Sequence, residues 1–137
     1  MSIYDDVQAL QQQMEQAQTE ITALKTAGAD SGWIDLQLST GITAHSVANF
    51  PCRYRKIGNR VFVEGCVLGV TSVDTVVATL PEGYRPSKSF YHVTAANGGY
   101  YDTFNVRNNG ELKLIKTTIP TMYDTQFHFI NAEFLTD

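Results

Sequence analysis

Residues 52–64, CRYRKIGNRVFVE, place two runs of β-forming residues on either side of the dipeptide Gly58-Asn59. Glycine and asparagine tolerate the left-handed backbone that a two-residue hairpin turn requires. Such a turn would set Arg53 opposite Glu64 and so pair opposite charges across the two strands. The stretch therefore predicts a β-hairpin whose register is set by its turn.

The same register bears on the two cysteines of the chain. In it, Cys52 faces away from Cys66 on the following strand. A three-residue loop would oppose the two, but it would need Arg60 in a left-handed conformation that arginine disfavours. We therefore expect free thiols, which also suits a protein assembled in the cytoplasm.

A second hairpin is predicted around the tripeptide Asn108-Asn109-Gly110. A three-residue loop pairs Arg107 with Glu111 and Val106 with Leu112, and its final glycine supplies the left-handed residue. A two-residue loop would instead mix apolar and charged side chains on one face. The three-residue loop is therefore the expected form.

Further segments rich in Val, Thr, Ile, Phe and Tyr recur between turn residues over the rest of the chain. The predicted strands are Trp33–Ser39, Cys52–Ile57, Val61–Val70, Thr75–Leu80, Ser89–Ala95, Tyr101–Arg107, Glu111–Lys116 and Thr125–Leu135. About eight strands without a helical segment are typical of a β-sandwich or jelly roll. We assign this all-β head domain to residues 30–137.

The N-terminal segment has a different composition. All 10 glycines and all 4 prolines lie at or beyond Gly28. Before that point, apolar residues recur at alternating spacings of 4 and 3, which is the period of a coiled-coil seam. The seam residues are Ile3, Val7, Leu10, Met14, Ala17, Ile21 and Leu24. Residues 1–29 are therefore predicted to form a helical coiled-coil stalk.

A single amphipathic helix packed on its own domain is the alternative interpretation of this segment. Such a helix usually has a wider apolar stripe. Here the positions beside the seam are polar apart from Tyr4, which favours the coiled coil. The mixed seam residues do not determine the number of strands.

Composition excludes several classes of protein. The 137 residues carry 10 basic and 14 acidic side chains, a formal charge of −4, so no large basic surface for nucleic acid is expected. No apolar run is long enough to cross a membrane, and the polar N-terminus does not resemble a signal peptide. The 3 histidines and 2 cysteines match no metal-ligand spacing, so neither a metal nor another cofactor is predicted.

The strongest candidate for ligand binding is the polar and aromatic stretch of residues 95–102, AANGGYYD. Aromatic rings stack on the C–H faces of sugars, and amide or carboxylate oxygens accept hydrogen bonds from hydroxyls. The candidate saccharide-binding residues are Asn97, Tyr100, Tyr101, Asp102 and His92. The alternative is a turn that leads into an ordinary strand. Trp33 is a weaker candidate, and its position after Gly32 also suits a plug between stalk and head.

Two motifs resemble a known family. Residues 54–65, YRKIGNRVFVEG, and residues 80–87, LPEGYRPS, are similar to sequences in the C-terminal head domains of tail-fibre and receptor-binding proteins from phages and prophages of Gram-positive bacteria. The resemblance covers residues 32–90, and its motifs are turns and strand ends, so it transfers no binding residues. It implies a parallel homotrimer with a fibrous stalk and a β-sandwich head that contacts host glycans.

We therefore predict a non-enzymatic virion protein of a tail fibre or baseplate, whose trimeric head recognises host-surface saccharide. Its expected partners are two further copies, the glycan, and neighbouring tail or baseplate proteins at the N-terminus, without nucleic acid or membrane insertion. The alternative function is a structural baseplate, fibre-tip or capsid-decoration module that binds no glycan. A glycan-cleaving enzyme would need a positioned carboxylate pair, and the sequence singles out none.

Overall fold

The computed structural model describes residues 2–45 and 50–137. One N-terminal helix, α1, spans Ile3–Ala27, and the rest of the described chain forms short strands, loops and a one-turn 3₁₀ helix at Asn97–Gly99. The strands are β1 (Ile34–Asp35), β2 (Thr43–Ala44), β3 (Arg53–Ile57), β4 (Arg60–Glu64), β5 (Cys66–Leu68), β6 (Thr75–Thr79), β7 (Phe90–Ala95), β8 (Tyr101–Val106), β9 (Glu111–Thr117), β10 (His128–Phe129) and β11 (Ala132–Leu135).

The strands form three antiparallel sheets. Sheet A has the order β1-β3-β4-β11, sheet B the order β6-β9-β8-β7, and sheet C the order β10-β5-β2. Alternate residues of the long strands point inward, so β8 buries Phe104 and Val106 and β4 buries Val61 and Val63. Because side chains from all three sheets join one apolar cluster, the head is a β-sandwich around a single core.

Both predicted hairpin registers are confirmed. Arg53 pairs with Glu64 through the turn at Gly58, and their side chains form an ion pair at 2.5 Å. In the second hairpin Val106 pairs with Leu112, and the loop glycine has a left-handed φ of 94°. Local turn chemistry is therefore sufficient to set both registers.

The predicted strand Val61–Val70 is wrong in one respect, because it is broken at Gly65 into β4 and β5. A Cβ atom at Gly65 would lie 2.7 Å from the Cys52 sulfur, so the chain bends where only glycine fits. The short strand β2 (Thr43–Ala44) was not predicted.

Both cysteines are free and buried, as predicted for their redox state. The Cys52 Sγ lies 3.4 Å from the backbone carbonyl oxygen of Cys66. Burial raises the pKa of both thiols, that of Cys66 to about 11.

Helix α1 has a side-chain cap at its N-terminus and a favourable charge at its C-terminus. The backbone N–H of Asp5 donates to the Ser2 hydroxyl at the N-terminus, and Lys25 lies in the last turn, where a cation suits the helix dipole. No helix in the described residues has the length and apolar character that a membrane span requires.

The segment after α1 is attached to strand β3. Gly58 N–H donates to the carbonyl oxygen of Ala29 at 2.8 Å, and Ser31 N–H donates to that of Lys56 at 2.9 Å. Asp30 accepts hydrogen bonds from the Arg55 guanidinium, which holds the pKa of this carboxyl down at about 2. The chain leaving the helix is therefore bound to the head within a few residues.

Candidate binding surfaces

The predicted saccharide stretch lies at a one-turn 3₁₀ helix, Asn97–Gly99, and the start of β8. Tyr100 and Tyr101 are exposed, at 40% and 55% of their surface. Asn97 is half-buried, and its side-chain oxygen accepts a hydrogen bond from the Phe127 N–H at 3.4 Å, so it fastens two loops together. Of the five candidate saccharide-binding residues, only the two tyrosines are exposed.

Asp102 lies in the core and not at the surface. It is fully buried, and its Oδ2 lies 2.6 Å from Nδ1 of His128, which is also fully buried on β10. The predicted role of Asp102 in binding sugar hydroxyls is corrected on this ground, because its carboxylate has no access to solvent. Its spacing from Phe104 and Val106, two and four residues away, is the sequence signal for an inward position.

His92 does not lie beside the exposed tyrosines, because the register of β7 and β8 pairs His92 with Phe104 and Ala95 with Tyr101. It lies on β7, and its Nε2 is 2.8 Å from the carbonyl oxygen of Asn131. Burial lowers the pKa of His92, although the bond to Asn131 acts in the opposite direction. The structure thus brings Tyr100 and Tyr101 together but does not join His92 or Asp102 to them in one exposed site.

A groove that the sequence did not single out crosses the outer face of sheet A. We call it the Trp33 groove, and its volume is about 610 Å³. Its lining residues are Trp33, Arg55, Ile57, Phe62, Val63, Glu64, Asn131, Ala132 and Glu133. The register of the sheet aligns Arg55, Phe62 and Glu133 in one row across three strands.

Charged side chains around the Trp33 groove are paired. Beside the Arg53–Glu64 pair, Arg60 is bonded to Glu133, and Arg55 is bonded to Asp30 as described above. The Arg53 guanidinium carbon lies over the Trp33 ring at 4.3 Å from its centre, and that of Arg55 at 5.7 Å, both within the range of a cation–π interaction.

The predicted hairpin register already placed Arg55 beside Phe62 on one face of the sheet, and this was the available signal for the groove. The position of Trp33 over Arg53 was not predictable, since it depends on how the segment after the helix folds back. The pairing of Arg60 with Glu133 joins residues far apart in the sequence.

The predicted seam of α1 is exposed in the single chain. Ile3, Leu10, Met14 and Leu24 show between 60% and 82% of their surface, and Val7 and Ile21 show 45%. Ala17 is exposed as well. Over residues 2–45 and 50–137, no cluster of three or more His, Cys, Asp or Glu side chains could hold a metal ion.

Comparison with known proteins identifies the head. Residues 28–129 match the family described as "YomR C-terminal beta sandwich domain". Among solved structures, the crystal structure of the receptor binding protein (gp15) of Listeria phage PSA aligns over 100% of this chain and 88% of its own, with a TM-score of 0.63 and 18% sequence identity. At this identity the likeness establishes a shared fold. No curated protein matches the sequence.

Proposed function

Because this chain belongs to the family of YomR C-terminal beta sandwich domains, we propose that it is the head of a phage or prophage tail-fibre or receptor-binding protein. The observation that carries the proposal is the structural likeness to a phage receptor binding protein, which extends over the helix as well as the head. A likeness limited to the sandwich would say less, since sandwiches serve many functions. The motifs at residues 54–65 and 80–87 agree with this assignment.

The proposed form of the protein is a parallel homotrimer joined by α1. Six large apolar side chains on one stripe of the helix are exposed in the monomer, which is costly in water and is relieved when like stripes pack together. The helix of 25 residues is too short to associate strongly by itself. Contacts between heads are therefore expected to contribute.

The proposed role of the trimer is to bind repeated saccharides on the host surface during adsorption, without enzymatic activity. Three identical heads on one stalk raise the effective concentration of each binding site, so that a weak single site is sufficient. Other tail or baseplate proteins would bind the N-terminal part of the stalk.

A structural module of the baseplate or fibre tip that binds no glycan is the second candidate. The burial of Asp102 favours it, because one of the groups expected to bind sugar is engaged with His128. The two candidates share the trimer and differ in whether the head binds saccharide.

Light scattering on the full chain tests the trimer. We expect a mass about three times the 15.2 kDa of the chain. The double substitution Leu10→Lys with Ile21→Lys places like charges in the seam and should shift the mass toward that of a monomer. The control, Gln12→Lys with Gln16→Lys, adds the same charge outside the seam and should leave the mass unchanged. A monomeric wild-type chain would contradict the proposal.

Binding of labelled protein to host-type cell walls and to a printed array of bacterial surface oligosaccharides separates the two candidate functions. If the protein is a receptor-binding head, the wild-type trimer should bind to the cell walls and to the array. The variant with lysines in the seam should bind more weakly to both. A trimer that binds neither would be the structural module.

A further inference from the structure

We propose that the Trp33 groove is the saccharide site of the head and that it binds an uncharged hexose or N-acetylhexosamine unit. The proposal rests on the receptor-binding function proposed above and adds the location of the site and the class of sugar. Three features of the groove support it: a fixed aromatic ring, balanced charge, and suitable size.

The aromatic ring of Trp33 is held in position before any ligand arrives. Arg53 stacks on it, and Arg53 is itself fixed by a hydrogen bond from its Nε to Glu64 at 2.5 Å. Arg55 approaches the same ring and donates from its Nε to Asp30 at 2.9 Å. A ring fixed in this way loses little conformational entropy when a sugar stacks on it. Trp33 nevertheless remains 38% exposed.

The charges around the groove cancel. Each of the three arginines, Arg53, Arg55 and Arg60, is bonded to a carboxylate. A phosphate-bearing polymer requires cations that are not already neutralised. The guanidinium and carboxylate groups retain further donors and acceptors in fixed planes, and these suit the hydroxyl groups of an uncharged sugar.

The size and floor of the groove agree with the same ligand. The volume of about 610 Å³ lies within the range of small-ligand sites, which extends from about 300 to 1,000 Å³. Phe62 and the half-exposed Ile57 provide apolar surface for the C–H groups of a pyranose ring, while Glu133 and Asn131 supply polar atoms on the side of β11.

The test uses the fact that Trp33 is the only tryptophan of the chain. Fluorescence of the full-length trimer is followed while glucose, galactose, rhamnose, N-acetylglucosamine or N-acetylgalactosamine is added, with poly(glycerol phosphate) as the anionic comparison. We expect a saturable change in emission with at least one uncharged sugar and none with the polyanion. The protein should also bind to the same sugar on the oligosaccharide array.

Substitutions complete the test. Trp33→Ala and Phe62→Ala should each weaken binding of that sugar about tenfold or more, as for a central aromatic contact. The control is Tyr91→Ala, which removes a side chain of 66% exposure from β7 in sheet B and should have no effect. Trp33→Phe keeps a ring and should retain part of the affinity.

Each remaining outcome overturns the proposal in a different way. If sugars bind while Trp33 emission is constant and Trp33→Ala retains affinity, the site lies elsewhere and the receptor-binding function stands. If Trp33→Ala lowers the mass of the trimer, a second copy covers the groove. Binding of the polyanion alone would refute the charge argument. If no sugar and no cell wall binds, the proposed function fails together with the groove.

Discussion

The buried pair of Asp102 and His128 provides a quantitative test of what holds sheets B and C together. Asp102 belongs to sheet B and His128 to sheet C, and neither side chain is exposed to solvent. The single hydrogen bond of 2.6 Å thus joins two polar groups that would otherwise be unpaired in the core. We consider the substitution Asp102→Ala.

Removal of the carboxylate leaves Nδ1 of His128 without a partner at a site with no access to water. Breaking a buried pair from one side costs about 3 to 5 kcal/mol. For a domain of this size each kcal/mol lowers the Tm by about 4 °C, so we expect a decrease of about 12 to 20 °C. Asp102→Asn keeps an acceptor oxygen for His128 and should cost only about 1 to 2 kcal/mol.

Thermal unfolding followed by circular dichroism measures these changes, at one fixed protein concentration because association shifts the Tm. The double-mutant cycle with His128→Ala isolates the pair. Either single substitution already leaves one group unpaired. The loss of stability in the double mutant should therefore be smaller than the sum of the losses in the two single mutants, by about 2 kcal/mol or more. A decrease of less than about 4 °C for Asp102→Ala, or additive effects, would refute the reasoning.

Three further predictions concern single residues. The pKa of His92 is lower in the folded protein than in the unfolded chain, so the unfolded chain binds the proton more readily. The free energy of unfolding should therefore fall as the pH drops below 6.5, the ordinary pKa of histidine. In urea titrations from pH 7 to 5, His92→Gln should lose less stability than the wild type. Cys66, whose pKa is raised to about 11, should react with a thiol reagent at pH 8 only after unfolding, and rapid labelling of the native protein would contradict its burial. Gly110→Ala would place a Cβ atom 2.2 Å from the carbonyl oxygen of Leu80 at a left-handed φ of 94°, so denaturant unfolding should show a loss of about 2 to 4 kcal/mol, and a loss below about 1 kcal/mol would be inconsistent with this contact.

The parts of the fold that were predictable from sequence are those set by neighbouring residues. The turn at Gly58 and the loop ending at Gly110 each determine which side chains face each other, so both registers followed from pair chemistry. Helix α1 was equally accessible, since absence of glycine and proline and a regular apolar spacing are local properties.

Features that depend on distant residues were not predictable. Strand β2 contains two residues and carries no periodic signal, and the predicted strand Thr125–Leu135 is divided into β10 and β11. The partner of Asp102 lies 26 residues away, and the close approach of Cys52 to Gly65 sets the bend between β4 and β5. The candidate site also combines features set by neighbouring residues with features that depend on distant ones. The alignment of Arg55 with Phe62 followed from the hairpin, but the position of Trp33 over the arginines did not.

The attachment of residues 29–31 to β3 has a mechanical consequence. A pull along α1 reaches the head through the backbone hydrogen bonds of Ala29 and Ser31 and through the ion pair of Asp30. These bonds lie at the turn end of β3, and β3 is paired along its whole length with β4, which in turn pairs with β11. Because β3 is an inner strand of sheet A, force that enters at residues 29–31 passes through these bonds into the middle of the sheet as well as along the chain into the edge strand β1.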